Sequence, residues 1–331
     1  MVRKLDVVAI GNAIVDIIAP SDDAFLDRVN IKKGAMELID GDRASLLEGK
    51  MISPVASCGG SAANTVVGLS NLGGNCGFIG KVKNDVAGEQ FKSSMKELNI
   101  IFETPPSTEG APTAKCLIFV TPDAQRSMNT FLGASTELQP LDLSKELIGL
   151  SKILYLEGYL WDPPNAKRAF LEAINIAKES KTKVALSLSD ACCVDRYRSE
   201  FLDLIEQHVD ILFGNETEIL SLYQTKSFDE AVQLVQKDCD VVALTRDARG
   251  SVVAENNNFF EIKPQKVSKV IDTTGAGDLY AAGFLYGISR DMDIRQCGKL
   301  GGLAASQIIT QFGARPETSL APLIDRVTKT D

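Results

Sequence analysis

The sequence predicts an α/β fold in which helices cover both faces of a mainly parallel β-sheet, with a small β lid. Short apolar runs typical of strands alternate with periodic stretches typical of helices, which implies βαβ units and right-handed crossovers. The runs are nearly unbroken, as expected for strands buried on both faces. In chain order they are DVVAIG, CGFIG, KILYLEG, KVALSLS, VDILFGN and DVVALT.

Periodic stretches between the apolar runs predict the covering helices. Apolar residues recur every three or four positions in GEQFKSSMKELNI, which starts at Gly88, and in NAKRAFLEAINIAKES, which starts at Asn165. This spacing places them on one helix face, which can pack against a sheet.

Two stretches interrupt the alternation and predict the lid. From about residue 16 to 40 the chain is acidic and irregular, and within about residues 112–132 KCLIFVTPDAQRSMNTFL is typical of two strands around a Pro-Asp turn. A flap above the carboxyl ends of parallel strands would cover the place where open α/β folds bind ligands. Because we find neither an internal repeat nor a linker-like tract, we expect residues 1–331 to form a single domain with this lid.

Charge and composition exclude several classes of partner. The 331 residues carry 44 acidic and 35 basic side chains, a net charge of -9, and the bases are scattered, which disfavours nucleic acid and anionic membranes. No apolar run reaches the roughly 18–20 residues of a membrane helix, and the N-terminal stretch is typical of a buried strand, not of a signal peptide. We expect a cytoplasmic protein that is a monomer or a homodimer.

Cysteine and histidine usage narrows the chemistry. The seven cysteines are odd in number and lack C-x-x-C spacing, which favours reduced thiols over disulfides or zinc ligands. His208 is the single histidine and stands beside an apolar run. Hydrolytic triads that depend on histidine therefore have little support.

The stretch TTGAGD offers an anion site at the start of a predicted helix. It follows the β-like run VSKVI and precedes LYAAGFLYGIS, so Gly275, Ala276 and Gly277 would form the turn whose free amides open the helix. Asp278 in the first turn has two interpretations. It stabilises the helix dipole by about 0.3–1 kcal/mol, or it accepts the proton of a hydroxyl that attacks a phosphoryl group.

A second glycine-rich stretch, CGGSAANTVVGLSNLGG, precedes another predicted helix. Gly59, Gly60 and Ser61 would let a ligand lie against the backbone, and Asn64 offers a donor and an acceptor to hydroxyls. The alternative is tight helix packing with a solvated Asn64. Asp16, just after the first predicted strand, could hold a vicinal diol, whereas a dinucleotide fold would need more glycines here.

A third pattern, FGNETEIL, places Asn215 and Glu218 on one helix face after a strand. This pair could organise hydrated magnesium and phosphate. The alternative is an N-cap with a capping-box glutamate. The chain contains no Walker loop.

Together these motifs resemble the PfkB family of sugar and nucleoside kinases, which have a ribokinase-like fold. GGSAAN with the following FIGKVKNDVAGE, then NETE, then DTTGAGDLYAAGF occur in the family's order, and the resemblance covers nearly the whole chain. It implies transfer of the γ-phosphate of ATP, with Mg²⁺, to a hydroxyl of a small molecule.

The resemblance also implies a role for each matching residue. Asp278 would be the catalytic base, and the amides of Gly275, Ala276 and Gly277 the anion hole. The implied substrate-side residues are Asp16, Gly59, Gly60, Ser61 and Asn64; the implied nucleotide-side residues are Thr245, Gly250, Gly277, and Asn215 and Glu218, the last two acting on Mg²⁺ through water.

One landmark of the family is altered. After the strand VVALT the family shows T-x-G before a further glycine, whereas this chain has Thr245, Arg246 and Asp247 before Gly250. Thr245 and Gly250 remain expected nucleotide contacts. The resemblance does not extend the backbone contact of the missing glycine to Asp247.

Within the family, the segments FLDRVNIKKGAMELID, RSMNTFLGAS and EGYLWDPP are most similar to bacterial adenosine kinases. This similarity implies that Arg126 reaches from the lid toward the phosphates and that Tyr159 or Trp161 lies near a purine, although aromatic residues at a strand end also suit a core. It also allows a monovalent cation near Asp272. A kinase of ribose, fructose or a related sugar, and a catalytically idle ligand-binding protein, are the alternatives.

Overall fold

Two β-sheets organise the part of the chain that the computed structural model describes, residues 4–123, 125–256 and 258–328. The strands are β1 Leu5–Ile10, β2 Ile14–Pro20, β3 Met36–Leu38, β4 Val55–Gly59, β5 Cys76–Ile79, β6 Ala114–Val120, β7 Arg126–Phe131, β8 Ser151–Glu157, β9 Lys183–Ser187, β10 Ile211–Asn215, β11 Val241–Thr245, β12 Ser251–Glu255 and β13 Asn258–Ile262.

Helices connect most of these strands. The α-helices are α1 Asp23–Arg28, α2 Gly41–Glu48, α3 Ser61–Asn71, α4 Val86–Glu97, α5 Lys145–Gly149, α6 Pro164–Ser180, α7 Ala191–His208, α8 Glu216–Tyr223, α9 Phe228–Asp238, α10 Ala276–Ser289, α11 Ile294–Ile308 and α12 Pro322–Thr328. Short 3₁₀ turns lie at Gly133–Glu137, Pro140–Asp142, Gly158–Trp161 and Asp247–Arg249.

The larger sheet has eight strands in the order β13-β12-β11-β10-β9-β8-β1-β5. All six predicted strands are in it and pair in parallel, and β12 and β13 extend it as an antiparallel edge. Parallel strands require crossover connections, which the helices provide. The predicted mainly parallel sheet is confirmed.

Apolar clusters cover both faces of this sheet, because successive side chains of a strand point in opposite directions. In β1, Val7 and Ala9 join one cluster, and Val8 and Ile10 join the other. Helices α3, α4, α10 and α11 complete the first cluster, while α5 to α9 complete the second. The predicted α/β fold class is therefore confirmed.

The two helices predicted from periodicity are α4 and α6. The N-cap side chain of Asp85 accepts a hydrogen bond from the Gly88 amide, which begins α4 two residues before the predicted stretch. Pro164 stands at the start of α6, where its missing N–H is tolerated, and Lys181 in the left-handed region ends that helix.

The smaller sheet has the order β3-β7-β6-β2-β4. Strands β6 and β7 form the predicted antiparallel hairpin, apart from residue 124, which lies outside the described residues. Strand β4 was not predicted, because VASCG is short and exposed over three of its five residues and lacks an apolar alternation. The lid segments from about 16–40 and 112–132 therefore share their sheet with a third stretch.

Two local predictions were wrong. Asp16 lies in the middle of β2, not just after the first strand. The run VSKVI is not a strand: Val270 is half exposed, and the chain instead meets α11 through a hydrogen bond from the Ile271 amide to the Ile309 carbonyl. Apolar residues alone do not form a strand where the fold offers no partner strand.

None of the described helices combines the length and apolar character needed to span a bilayer.

Candidate active site

The turn before α10 is built as an anion site requires, with one change from the prediction. Gly275 is the N-cap, with φ of +79°, and a Cβ added there would lie 2.6 Å from the Cβ of Ala314. A Cβ added at Gly277 would meet nothing within 4 Å, so space is open above the helix start. The Ala276 amide donates to the Thr273 carbonyl, which commits it to the turn and leaves the Gly275 and Gly277 amides as the better candidates.

Asp278, in the first turn of α10, joins the two glycine-rich motifs. Its Oδ1 accepts a hydrogen bond from Ser61 Oγ at 2.7 Å, and its Oδ2 accepts one from Asn64 Nδ2 at 3.0 Å. Withdrawal from water raises its pKa to about 6, against the lowering effect of these two donors. Asp278 is thus a carboxylate positioned by two side chains of α3, which a role in helix stabilisation alone does not require.

The start of α3 depends on two glycines. Gly60 has φ of +94°, and a Cβ there would overlap the Asn12 carbonyl oxygen. At Gly59 an added Cβ would overlap the carboxylate of Asp16, so β4 and β2 approach closely at this point. Asn64 is only 5% exposed, which excludes the solvated alternative.

Asp16 faces the same region as Asp278. Withdrawal from water raises the pKa of Asp16 to about 7, Arg315 and Arg126 lower it, and the charge of Asp278 raises it. A carboxylate whose charge raises the pKa of another must lie close enough to interact with it. The structure therefore brings together the predicted residues Asp16, Gly59, Gly60, Ser61, Asn64 and Asp278.

Arg126, the first residue of β7, links the smaller sheet to the turn before α10. Its Nη2 lies 2.8 Å from Asp272 Oδ2, and its Nη1 donates to Thr274 Oγ1 at 3.0 Å. Asp272 also accepts from the Thr274 amide and hydroxyl and from the Gly313 amide. Both oxygens of the Asp272 carboxylate are engaged, so this side chain has little capacity left for the monovalent cation that the resemblance allows near it.

Asn215 and Glu218 form the capping box of α8. Asn215 caps the Glu218 amide, and the Glu218 carboxylate accepts from both the amide and the side chain of Asn215. Burial raises the pKa of Glu218 to about 7. No group of three or more His, Cys, Asp or Glu side chains suited to a metal ion occurs among the described residues. A carboxylate so engaged fits Mg²⁺ through bridging water, not by direct ligation.

The altered landmark keeps a glycine-like backbone. Thr245 pairs in register with Asn215, which sets the two strand ends side by side. Asp247 has φ of +49°, in the left-handed region that aspartate enters more easily than most residues. Gly250 has φ of +88°, and a Cβ there would overlap the Ile262 carbonyl oxygen. Asp247 therefore adopts a backbone conformation that glycine also enters readily.

The aromatic pair after β8 separates into two environments. Trp161 is 3% exposed, packs between Phe170 and Phe201, and donates its indole N–H to Glu200 at 2.8 Å. It is a core residue, which leaves Tyr159 as the member of the pair that stays a predicted purine contact. Tyr159 is half buried, and desolvation together with the charges of Asp190 and Glu218 raises the pKa of its hydroxyl far above the usual range.

Sequence reasoning missed two charged residues of this region. Glu157, at the end of β8, is 1% exposed and accepts hydrogen bonds from Asn12 and from the Ala62 amide. A single acid at the end of an apolar strand, as in KILYLEG, is a sequence feature that could have predicted Glu157 as a site residue. Arg315 donates to Asn64 and Ser94 from the segment after α11, and nothing in the periodicity of FGARPE indicates this.

Several known proteins are similar to this chain over most of its length. A solved structure of adenosine kinase from Sinorhizobium meliloti is 48% identical, with a TM-score of 0.92, and the match covers 98% of this chain and 99% of that one. A probable sugar kinase from Rhizobium etli CFN 42 is 45% identical, with a TM-score of 0.93 over 99% of each chain. A nucleoside kinase of Methanocaldococcus jannaschii is 30% identical over 82% of this chain and 84% of its own length.

The model of the pfkB family carbohydrate kinases matches residues 4–320. This match spans both sheets and every motif on which the resemblance depends. The protein therefore belongs to the pfkB family of carbohydrate kinases and is a phosphotransferase that acts on an alcohol group.

Proposed function

We propose that the protein transfers the γ-phosphate of ATP to the 5′-hydroxyl of adenosine. The observation that carries the phosphotransfer is Asp278, held by Ser61 and Asn64 beside the open start of α10. The adenosine acceptor is supported by the Sinorhizobium meliloti protein, which is named adenosine kinase and is 48% identical over 98% of this chain.

In the proposed reaction Asp278 accepts the proton of the 5′-hydroxyl as that oxygen attacks the γ-phosphorus. Phosphoryl transfer requires chiefly positioning and stabilisation of charge, with one acid to orient the nucleophile. A pKa of about 6 leaves most of Asp278 ionised at neutral pH, while keeping it more basic than an ordinary aspartate. The oxygen–phosphorus bond to ADP breaks as the bond to the 5′-oxygen forms.

The surrounding residues have separate roles. The amides of Gly275 and Gly277 and the positive end of α10 stabilise charge on the transferred group. Asp16, packed against Gly59, accepts hydrogen bonds from a vicinal diol such as that of ribose. Arg126 supplies a positive charge from the lid beside the same turn.

The nucleotide binds on the side of Asn215, Glu218, Thr245 and Gly250. When bound, Mg²⁺ would neutralise charge on the nucleotide phosphates. Glu218 would hold it through water, as its engaged carboxylate oxygens allow. Tyr159 remains the aromatic residue proposed to lie near a purine; desolvation, and then the charges of Asp190, Glu218, Glu157 and Asp278, raise the pKa of its hydroxyl.

A sugar acceptor is the second candidate. The Rhizobium etli protein, named a probable sugar kinase, is nearly as similar to this chain, at 45% identity. Ribose presents the same kind of diol to Asp16, so the acid and the anion site would serve either acceptor. The core position of Trp161 leaves one fewer aromatic residue for a purine.

A coupled ADP-release assay with Mg-ATP tests the acceptor. The panel contains adenosine, inosine, other nucleosides, ribose and fructose. The proposal predicts the highest kcat/KM with adenosine, and AMP as the product by mass spectrometry. Turnover with free sugars alone would replace the acceptor and keep the phosphotransfer, and no turnover on any member would support the idle binding protein.

A further inference from the structure

Arg315 points its guanidinium into the cluster that contains the proposed acceptor-binding residues. Its Nη1 donates to Ser94 Oγ of α4 at 2.7 Å, and its Nε donates to Asn64 Oδ1 of α3 at 3.4 Å. Its Nη2 is buried and has no hydrogen-bond partner among the residues that the structure describes. Buried polar groups are nearly always satisfied, so this donor requires an explanation.

The charge of Arg315 acts on Asp16 from the same position. The guanidinium lowers the pKa of Asp16, and Asp16 in turn raises the pKa of Arg315 against the lowering by desolvation. Arg126 from the lid also lowers the pKa of Asp16, and Asp278 raises it. The guanidinium of Arg315, with one donor that lacks a partner among the described residues, and the carboxylate of Asp16 are therefore close enough for their charges to interact, in the cluster that contains Asn64.

A hydroxyl group has the chemistry to bond to both of these side chains. An ionised carboxylate only accepts hydrogen bonds, a guanidinium only donates them, and a hydroxyl does both. A single hydroxyl oxygen can therefore donate its proton to Asp16 and accept from Arg315, with both bonds strengthened by charge.

We infer that Arg315 is a further acceptor-binding residue, whose Nη2 donates to the same diol hydroxyl that donates to Asp16. The inference rests on the proposed function only in requiring an acceptor with a vicinal diol. It makes Arg315 a determinant of specificity, because an acceptor without that hydroxyl leaves Arg315 Nη2 and the Asp16 carboxylate without their shared hydrogen-bond partner.

The competing explanation is that Arg315 only orients the Asn64 amide. By donating to Oδ1 it would turn Nδ2 toward Asp278, and loss of this contact would disturb the base for every acceptor equally. The two explanations predict different dependence on the acceptor's hydroxyls, which a thermodynamic cycle can measure.

The experiment compares adenosine, 2′-deoxyadenosine and 3′-deoxyadenosine with the wild-type protein and Arg315→Lys. We expect one deoxynucleoside to lose about 10-fold or more in kcat/KM with the wild type, the size of a hydrogen bond to a charged group. Arg315→Lys should lower kcat/KM for adenosine by a similar factor, mainly by raising KM. With that deoxynucleoside, the variant and the wild type should have nearly the same kcat/KM. Arg295→Lys, on the exposed surface of α11, is the matched control.

A second variant addresses the shared hydroxyl. In Asp16→Asn, as in Arg315→Lys, removing the same hydroxyl from the nucleoside should lower kcat/KM little further. Three outcomes would each overturn the inference. The losses in kcat/KM from the substitution and from the missing hydroxyl could multiply independently, or a substitution could cause the same loss with all three nucleosides. In the third outcome, the two variants are each insensitive to a different hydroxyl. Arg315→Gln repeats the measurement if the lysine variant unfolds, as judged by its melting temperature and ATP binding.

Failure of the proposed function is distinguishable from failure of this inference. If the wild type phosphorylates ribose and not adenosine, the adenosine assignment fails, and the same cycle is measured with ribose and 2-deoxyribose. Non-additivity there would uphold the role of Arg315, and additivity would overturn it. With adenosine as the acceptor, additive penalties overturn the role of Arg315 and leave the proposed function intact.

Discussion

At the scale of single residues, Asp278 concentrates the proposed chemistry. Residues more than 200 positions apart meet at its carboxylate, because Ser61 and Asn64 both donate to it. These donors oppose the desolvation that raises its pKa to about 6. The proposed base is therefore tuned by two neutral side chains, and each of them can be removed separately.

The first prediction concerns the pH dependence of kcat/KM. Asp278 and Asp16 are both active in the ionised form, so kcat/KM should fall as the pH decreases from about 7 through about 6, and the part of the fall near 6 belongs to Asp278. Ser61→Ala removes a donor that favours the ionised form, so the pKa should rise and the acid limb should move to higher pH. Ser306→Ala on α11, whose hydroxyl donates to the helix carbonyl of Leu303, is the control. An acid limb that Ser61→Ala leaves in place would contradict this assignment.

Residue identities in the site were predicted where a motif carried them, and missed where contact depends on tertiary structure. Gly60, Asn64 and Asp278 stand in short runs whose spacing is informative. Arg315 is a lone base after α11, and only the packing of α3, α4 and β2 brings it to the acceptor cluster. The sequence left the choice between Tyr159 and Trp161 open, because the core position of Trp161 depends on contacts with α6 and α7.

At the scale of elements, the turn into α10 shows two glycines with different requirements. Gly275 needs both its positive φ and the absence of a side chain, whereas Gly277 faces open space. The sequence alone could not separate them, since both letters are the same and only the position of Ala314 distinguishes their surroundings.

Alanine substitutions at these two glycines should therefore give different losses. Gly275→Ala should lower the free energy of unfolding by about 1–3 kcal/mol, because of strain at φ of +79° and overlap with Ala314. Gly277→Ala should change stability by less than about 0.5 kcal/mol, yet should lower kcat by about 10-fold or more, because its methyl group enters the proposed phosphoryl position. Urea unfolding and steady-state kinetics measure the two effects. Full activity in Gly277→Ala would contradict the position of the anion site.

Element predictions succeeded where local pattern and fold agreed. The six apolar runs became neighbouring parallel strands, and the Pro-Asp turn joined β6 and β7. The short edge strand β4 was not predicted, whereas the run VSKVI was predicted as a strand and is not one. Both errors arise because pairing partners, and not apolar content, decide whether an edge segment is a strand.

At the scale of the whole molecule, the buried carboxylates of the candidate site affect stability. Withdrawal from water raises the pKa of four acids to about 6 or 7, above the ordinary value near 4. They are Asp16, Glu157, Glu218 and Asp278. These acids lie at the candidate site and not in the apolar clusters. Burying them there lowers the free energy of unfolding, as is common for the ionisable groups of active sites.

The consequence is a definite sign of the pH effect. Between about pH 4 and 7 the folded protein binds more protons at these four groups than the unfolded chain does, so the free energy of unfolding should fall as pH rises through that window. We expect higher stability by urea unfolding at pH 6 than at pH 8. Asp278→Asn and Glu218→Gln should each reduce the difference, and Asp229→Asn on the exposed start of α9 should not. Equal stability at the two pH values would contradict the burial of these charges.

The central claim is that Asp278 is the base of an adenosine-phosphorylating enzyme. The most direct test measures AMP formation from Mg-ATP and adenosine by the wild type and by Asp278→Asn, together with adenosine binding and melting temperature, and with Asp229→Asn as control. The account predicts AMP as product, and a kcat lowered by about 10²–10⁴-fold in Asp278→Asn with adenosine affinity and fold retained. A folded Asp278→Asn protein that keeps more than a tenth of the wild-type kcat would contradict it.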